Sequence, residues 1–318
     1  MAKGLRSNRG AIAAAPFTNG PYTWDQHVNF TGGVSFGEDG KGNAWYVSSA
    51  SGSNSYDGKS WSSPLLTIQA AVTAASAGDT IYLQGTFTEA VTCSTSSLSF
   101  IGAGPTVNDN VWMESAPGQT LLTLTGKNCK FYNIRFRIPT TGGIGINMAA
   151  SDYTIIAGCH FQGRTNSYYA IYNNGGSQCQ ILGNVFEYMN TGSYGTAILG
   201  YTYTAIPTGW EIAYNIFHSN LKHISMTMRQ SFVHDNLFQA VGLSSSNGSL
   251  SATVLCDIYT GSAGNGQYNT VTRNMMMGTY SISGGYKGQS SDSWYGNKCE
   301  GISATGVTAE GTTTAIPA

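Results

Sequence analysis

The residues of this sequence that come nearest to catalytic chemistry are Glu211, Asp235 and the neighbouring His234. Two carboxylates on one face, roughly 5–9.5 Å apart, are the minimum for glycosidic-bond cleavage. Strands stacked ~4.8 Å apart would bring carboxylates one or two strands apart into that range. The acids are sparse, however. Between 150 and 298 they are Asp152, Glu187, Glu211, Asp235, Asp257 and Asp292, scattered singly. Asp235 precedes Phe238 by three residues and Glu211 precedes Phe217 by six, so the two need not share a face. Glu187 directly follows Phe186 and points outward. His234 and Asp235 are adjacent, and adjacent strand residues face opposite ways. Solvated surface charge is the plainer reading. The expectation is no catalytic residue, with Glu211 and Asp235 as the pair only if the chain cleaves glycans.

Metal and cofactor chemistry finds no support. Calcium takes six to eight oxygen ligands, and no Asp/Glu cluster or DxD occurs. Cys93, Cys129, Cys159, Cys179, Cys256 and Cys299 are far apart, with no CxxC and no histidine at metal-ligand spacing. Buried free thiols are expected. No cofactor and no metal are therefore expected.

A second constellation is aromatic. Tyr168, Tyr169, Tyr172, Tyr188, Tyr194, Tyr201 and Tyr203 crowd one stretch. Exposed aromatic faces on a rigid support stack on sugar rings. The competing use is packing of long turns against the body or a neighbouring subunit. Tyr168, Tyr169, Tyr172, Tyr201 and Tyr203 are the candidate carbohydrate-binding residues.

Such side chains need a rigid support, and the composition says which kind. Of 318 residues, 10% are charged, 41% are hydrophobic, 12% are aromatic and 41 are Gly. That is too apolar for a disordered chain and too rich in Gly for a helical one. Many short strands between tight turns fit it. A net charge of −1 gives no field to draw nucleic acid. No stretch approaches ~20 uninterrupted apolar residues, so no membrane insertion is expected. The run at Ala13 to Ala15 is too short for a signal-peptide core, which points to folding in a cytoplasm.

The clearest local unit runs from 44 to 92. Ala44-Trp45-Tyr46-Val47 reads as a strand and Ser51 to Gly58 as a polar turn. Ser63 then predicts an N-cap and Pro64 the first residue of a helix over 64–77. Ile68, Ala71, Val72 and Ala75 share a face. Gly78 predicts the stop, and Asp79-Thr80-Ile81-Tyr82-Leu83 returns as a strand.

The sequence resembles the opening of many right-handed parallel β-helix proteins of the pectate-lyase-like superfamily. Tyr46-Val47-Ser48, Asp57-Gly58, Thr67-Ile68-Gln69-Ala70-Ala71-Val72 and Gly78-Asp79-Thr80-Ile81-Tyr82-Leu83 carry the resemblance. It covers about fifty residues closely. It implies an all-β, single-stranded right-handed parallel β-helix, a solenoid with a short N-terminal capping α-helix. An end coil has no neighbour above it, so its apolar interior must be covered.

Residues 93–303 read as its coils. A recurring pattern ends at Phe136, Phe161, Phe186, Phe217, Phe238, Met276 and Cys299, with spacings of 25, 25, 31, 21, 38 and 23. Variable spacing fits a solenoid with insertions in its turns. Each Phe or Met is expected inside, on its predecessor. The accompanying Asn is expected at a corner, supporting left-handed backbone and laddering from coil to coil. Met275-Met276-Met277 reads as interior or interface packing.

Residues 1–43 form an N-terminal arm, with Lys3, Arg6 and Arg9 as candidate anchoring residues, and 304–318 a tail. The opening also resembles β-helix proteins encoded by bacteriophages. That resemblance implies a homotrimer on the virion surface, made in the host cytoplasm. It would be a head decoration or fibre meeting capsid or tail proteins through its arm and adhering to a host glycan. The alternative is a tailspike that cleaves a surface polysaccharide.

Overall fold

The computed structural model describes residues 42–103, 111–189, 195–200, 206–240, 256–259, 268–278, 286–287 and 292–299. Lys3, Arg6, Arg9, Tyr194, Tyr201, Tyr203 and the tail from 304 lie outside them.

Strands are short because each coil is a triangle. On the first face lie Ala44–Ser48, the start of Thr80–Thr88, and then Ser99–Gly102, Lys130–Tyr132, Ile155–Ala157, Gln180–Leu182, Glu211–Ala213, Phe232–His234, Thr270–Thr272 and Ser293–Tyr295. The second face takes the end of Thr80–Thr88, then Val111–Glu114, Arg135–Arg137, His160–Gln162, Val185–Glu187, Ile216–His218, Leu237–Ala240, Met275–Gly278 and Lys298–Cys299. The third runs from Val91–Cys93 through Thr120–Leu124, Ile144–Ala149, Tyr169–Asn174, Thr196–Gly200, Lys222–Met226 and Cys256–Tyr259 to Tyr286–Lys287. All these pairings are parallel, so the chain is a parallel β-helix.

A three-residue strand turns one side chain in and two out. Phe131, Phe136, Phe161 and Phe186 are each the inward middle residue. Phe136, Phe161, Phe186, Phe217 and Phe238 stack in one column, with centroids 4.8–4.9 Å apart and planes within 11°. That separation is the strand spacing itself. Backbone pairing and ring stacking thus impose one repeat. Phe238 pairs in register with Met276. Met275 is exposed, so of the interior and interface uses expected of the Met run the interior one does not apply to it.

The corners correct one expectation. The left-handed residue between first and second faces is the repeat Asn in the Asn133 coil, but from Asn184 on it is the residue before that Asn. Asn133, Gly158, Gly183, Tyr214, Asp235, Arg273 and Gly296 occupy this place, with φ between 52° and 67°. The next residue is buried. From Asn184 through Asn215, Asn236 and Asn274 to Asn297, each backbone N–H donates to the side-chain oxygen of the next Asn at 2.8–3.1 Å. Each side-chain N–H also donates back to a carbonyl of the preceding coil, as Asn215 Nδ2 does to Ile181. A buried amide is tolerated because both its ends are satisfied. In the Asn133 coil the ladder place is held by buried Ile134.

The helix is shorter than expected. Helix α1 spans Ile68–Ala74, and Thr67 is its N-cap, accepting from the Ala70 N–H. Residues around Pro64 are extended instead. Leu65 N–H donates to Tyr46 O and Ser48 N–H to Leu65 O, adding the segment to the first strand. The helix ends at Ala75, whose backbone is extended, ahead of Gly78. Glu89 accepts from the Ile68 and Gln69 N–H groups, placing a carboxylate at the helix N-terminus. Ile68, Ala71 and Val72 are buried in the core with Val47, Ile81, Leu83 and Cys93. The helix touches Val91–Cys93, the first third-face strand, and closes the core at that end.

Candidate functional site

Three groups of outward side chains stand on this support. One contains Glu211 and Asp235, which the structure brings to one histidine. Asp235 Oδ2 lies 2.7 Å from His234 Nδ1, and Glu211 Oε1 lies 3.3 Å from His234 Nε2. The expectation that His234 and Asp235 diverge fails because Asp235 is not on a strand. Its φ of 52° turns the side chain back at the corner. Register aligns Ala213 with His234, and Glu211 reaches the ring from the neighbouring coil. Gln180 Nε2 donates to Glu211 at 2.8 Å. Arg273 holds Asp235 through both oxygens, at 2.9 and 2.7 Å. Phe232 and Tyr214 flank the imidazole.

The chemistry of this group is limited. Arg273 holds the Asp235 carboxyl down at about 2, against slight desolvation and with His234 helping. Asp235 is therefore an anion and cannot serve as a general acid. The imidazole lies between the two carboxylates and contacts both.

A second group escaped the reading of the sequence. Strands of the second face carry Glu114, Arg137, Gln162, Glu187, His218 and Gln239 outward in one column. Arg137 pairs with Glu114 at 3.1 Å, Gln162 Nε2 donates to Glu187 at 3.1 Å, and His160 meets Glu187 at 2.9 Å. Burial works to raise the Glu187 carboxyl, but His160, Gln162 and His218 together take it below its ordinary range. Tyr188 stands edge-on to His218. Trp112 carries the guanidinium groups of Arg135 and Arg137 over its ring, at 3.8 and 4.3 Å.

The third group is the tyrosine cluster. Tyr169 and Tyr172 both project from Tyr169–Asn174 on the third face, because Ala170 and Ile171 between them are buried. Their rings lie 5.5 Å apart, and Tyr168 lies 5.7 Å from Tyr169. Tyr168 is 36% exposed. The structure joins these three of the five expected residues, and the other two lie outside the described residues.

Cys93, Cys129, Cys159 and Cys179 are free and buried. Desolvation pushes the Cys159 and Cys179 thiols up to about 12, so they are inert at neutral pH. Among the described residues no helix is long and apolar enough to cross a membrane.

These features define a class: a right-handed parallel β-helix with an N-terminal capping helix, the fold of pectate lyase. The solved structure of pectate lyase Pel9A matches with a TM-score of 0.58 at 15% identity, covering 85% of this chain and 72% of that one. The GH136 lacto-N-biosidase from Eubacterium ramulus matches with a TM-score of 0.57 at 12% identity, over 81% of this chain and 56% of that one. At these identities the likeness is one of fold. No protein-family model and no curated protein matches the sequence.

Proposed function

We propose that this chain is a glycan-adhering β-helix displayed on a bacteriophage particle. The observation that carries adhesion is the cluster of Tyr168, Tyr169 and Tyr172 on one rigid face. Tyr offers an apolar ring face and a polar tip with little entropy to lose on binding. Strands on both sides hold its backbone, so the rings are preorganised. The similar folds support the reading, because their names attach them to pectate and to lacto-N-biose units. Display on the virion, anchoring through Lys3, Arg6 and Arg9, and a homotrimer rest on the resemblance of the opening module and on the low charge.

Binding of the purified chain to immobilised surface polysaccharides tests adhesion. Replacing Tyr169 and Tyr172 by Ala is expected to weaken binding about tenfold or more. Unchanged binding with intact folding sinks the tyrosine site. Antibody-gold labelling of purified particles tests display: label on the head supports a decoration, label at the tail tip a spike, and no label on any particle removes the virion reading.

The second reading is a tailspike that cleaves its glycan. The observation favouring it is His234 with a carboxylate at each ring nitrogen. Glu211→Gln and Asp235→Asn should then abolish release of reducing ends while binding persists.

A further inference from the structure

The second face carries a feature that the tyrosine cluster does not explain. Charged residues are 10% of the chain, yet Glu114, Arg135, Arg137 and Glu187 all project from this one face, beside His160 and His218. The column Glu114, Arg137, Gln162, Glu187, His218, Gln239 has a planar hydrogen-bonding side chain on six successive strands. The outward columns of the other faces are broken. On the first face Ile155 and Phe232 interrupt Lys130, Gln180 and Glu211, and on the third Leu199 interrupts Asn147 and Ser225.

We infer that the second face is a binding platform for a linear, uncharged polysaccharide lying along the axis of the solenoid. The inference rests on the glycan-adhesion reading and names the ligand's class and direction. One polar group per strand at ~4.8 Å makes a track about 24 Å long over six strands, which suits a polymer and is wasted on a monosaccharide. The groups cover both senses of hydrogen bonding: the carboxylates accept, the guanidinium donates, and the amides and a neutral imidazole do both. Sugar hydroxyls both donate and accept, so they can satisfy every place on the track.

The charges decide the class of polymer. Along the track two guanidinium groups and two carboxylates cancel, and the strand that carries the further charge on this face, Lys298, lies two strands beyond Gln239. A polyanion would meet Glu114 and Glu187 as repulsive sites, and Glu187 is held ionised. A polycation would meet Arg135 and Arg137. Contacts of Arg137 with Glu114 and of Gln162 with Glu187 already fix the side chains, so little rotamer freedom is lost on binding.

The test measures affinity for neutral dextran and mixed-linkage β-glucan, each fractionated by length, beside polygalacturonate and alginate. Affinity for a neutral polymer is expected to climb with chain length until the oligosaccharide spans the track, and then to level off. Salt should leave it unchanged. The double variant Gln162→Ala/His218→Ala is expected to lose about tenfold and to flatten the length dependence, with its thermal midpoint unchanged because both side chains are outward. Tyr169→Ala/Tyr172→Ala should leave the length dependence in place. Preference for the acidic polymers, or binding that ignores length and the second-face variant, overturns the inference but leaves adhesion standing. Binding to none of the polymers overturns both.

Discussion

Asn236 accepts at one oxygen both the backbone and the side-chain N–H of Asn215, each at 3.0 Å, although 21 residues separate the two in sequence. The pair is one rung of a buried ladder, and its removal is costly in a definite way. Asn236→Ala strands two donors of Asn215 and frees the Ile212 carbonyl, all inside the protein. A buried unsatisfied group costs ~1–3 kcal/mol. The expected loss is therefore about 3 kcal/mol or more in urea unfolding. A loss below about 1 kcal/mol would mean that water replaces the ladder.

Phe186 lies between Phe161 and Phe217, 4.8 and 4.9 Å from each. Phe186→Ala opens a cavity that regular backbone pairing prevents from closing. The expected cost is ~3–5 kcal/mol, read as a lowered thermal midpoint. Phe186→Leu should recover part of it, because the hole is partly filled.

His223 is buried between Phe217 and Phe238, with Nδ1 3.2 Å from Asn220 Nδ2. Burial, with a small push from His218, takes its pKa down to about 3. The unfolded chain binds this proton near the ordinary histidine value of ~6.5 and the folded chain does not. Stability from this group is thus complete above ~6.5 and is lost as pH falls toward 3, by a few kcal/mol in all. In His223→Leu that pH dependence should flatten, whatever the variant's absolute stability. A C2–H resonance of His223 that titrates near neutrality would show the ring to be hydrated.

Asp235 and Arg273 form a pair whose outer member is 53% exposed. Solvent and salt screen such pairs, and most contribute little. Asp235→Asn should barely move the unfolding midpoint.

Much of the fold was legible in the residues, and the failures have physical causes. Stacked Phe side chains gave the coils away because a parallel solenoid repeats its interior at every turn. The helix start was misplaced because Ser63-Pro64 is a strong local signal, and local signals lose to a strand that recruits Leu65. The His234 cluster was hidden because alternation holds only within a strand, and Asp235 sits at a corner. The polar column was readable in principle. The residue after each stacked Phe spells Arg137, Gln162, Glu187, His218 and Gln239. Carboxylates taken singly do not reveal it, whereas their place in the repeat does.

The hydrogen bonds between coils all point along the axis, while the covalent chain runs around it. The molecule is therefore mechanically anisotropic. A transverse load is borne by the peptide backbone. A pull along the axis is borne by the polar bonds of one coil boundary acting together, so coils should detach one at a time, in steps, starting from an end. Uneven coil lengths do not weaken the described boundaries, because the strands stay in register across them.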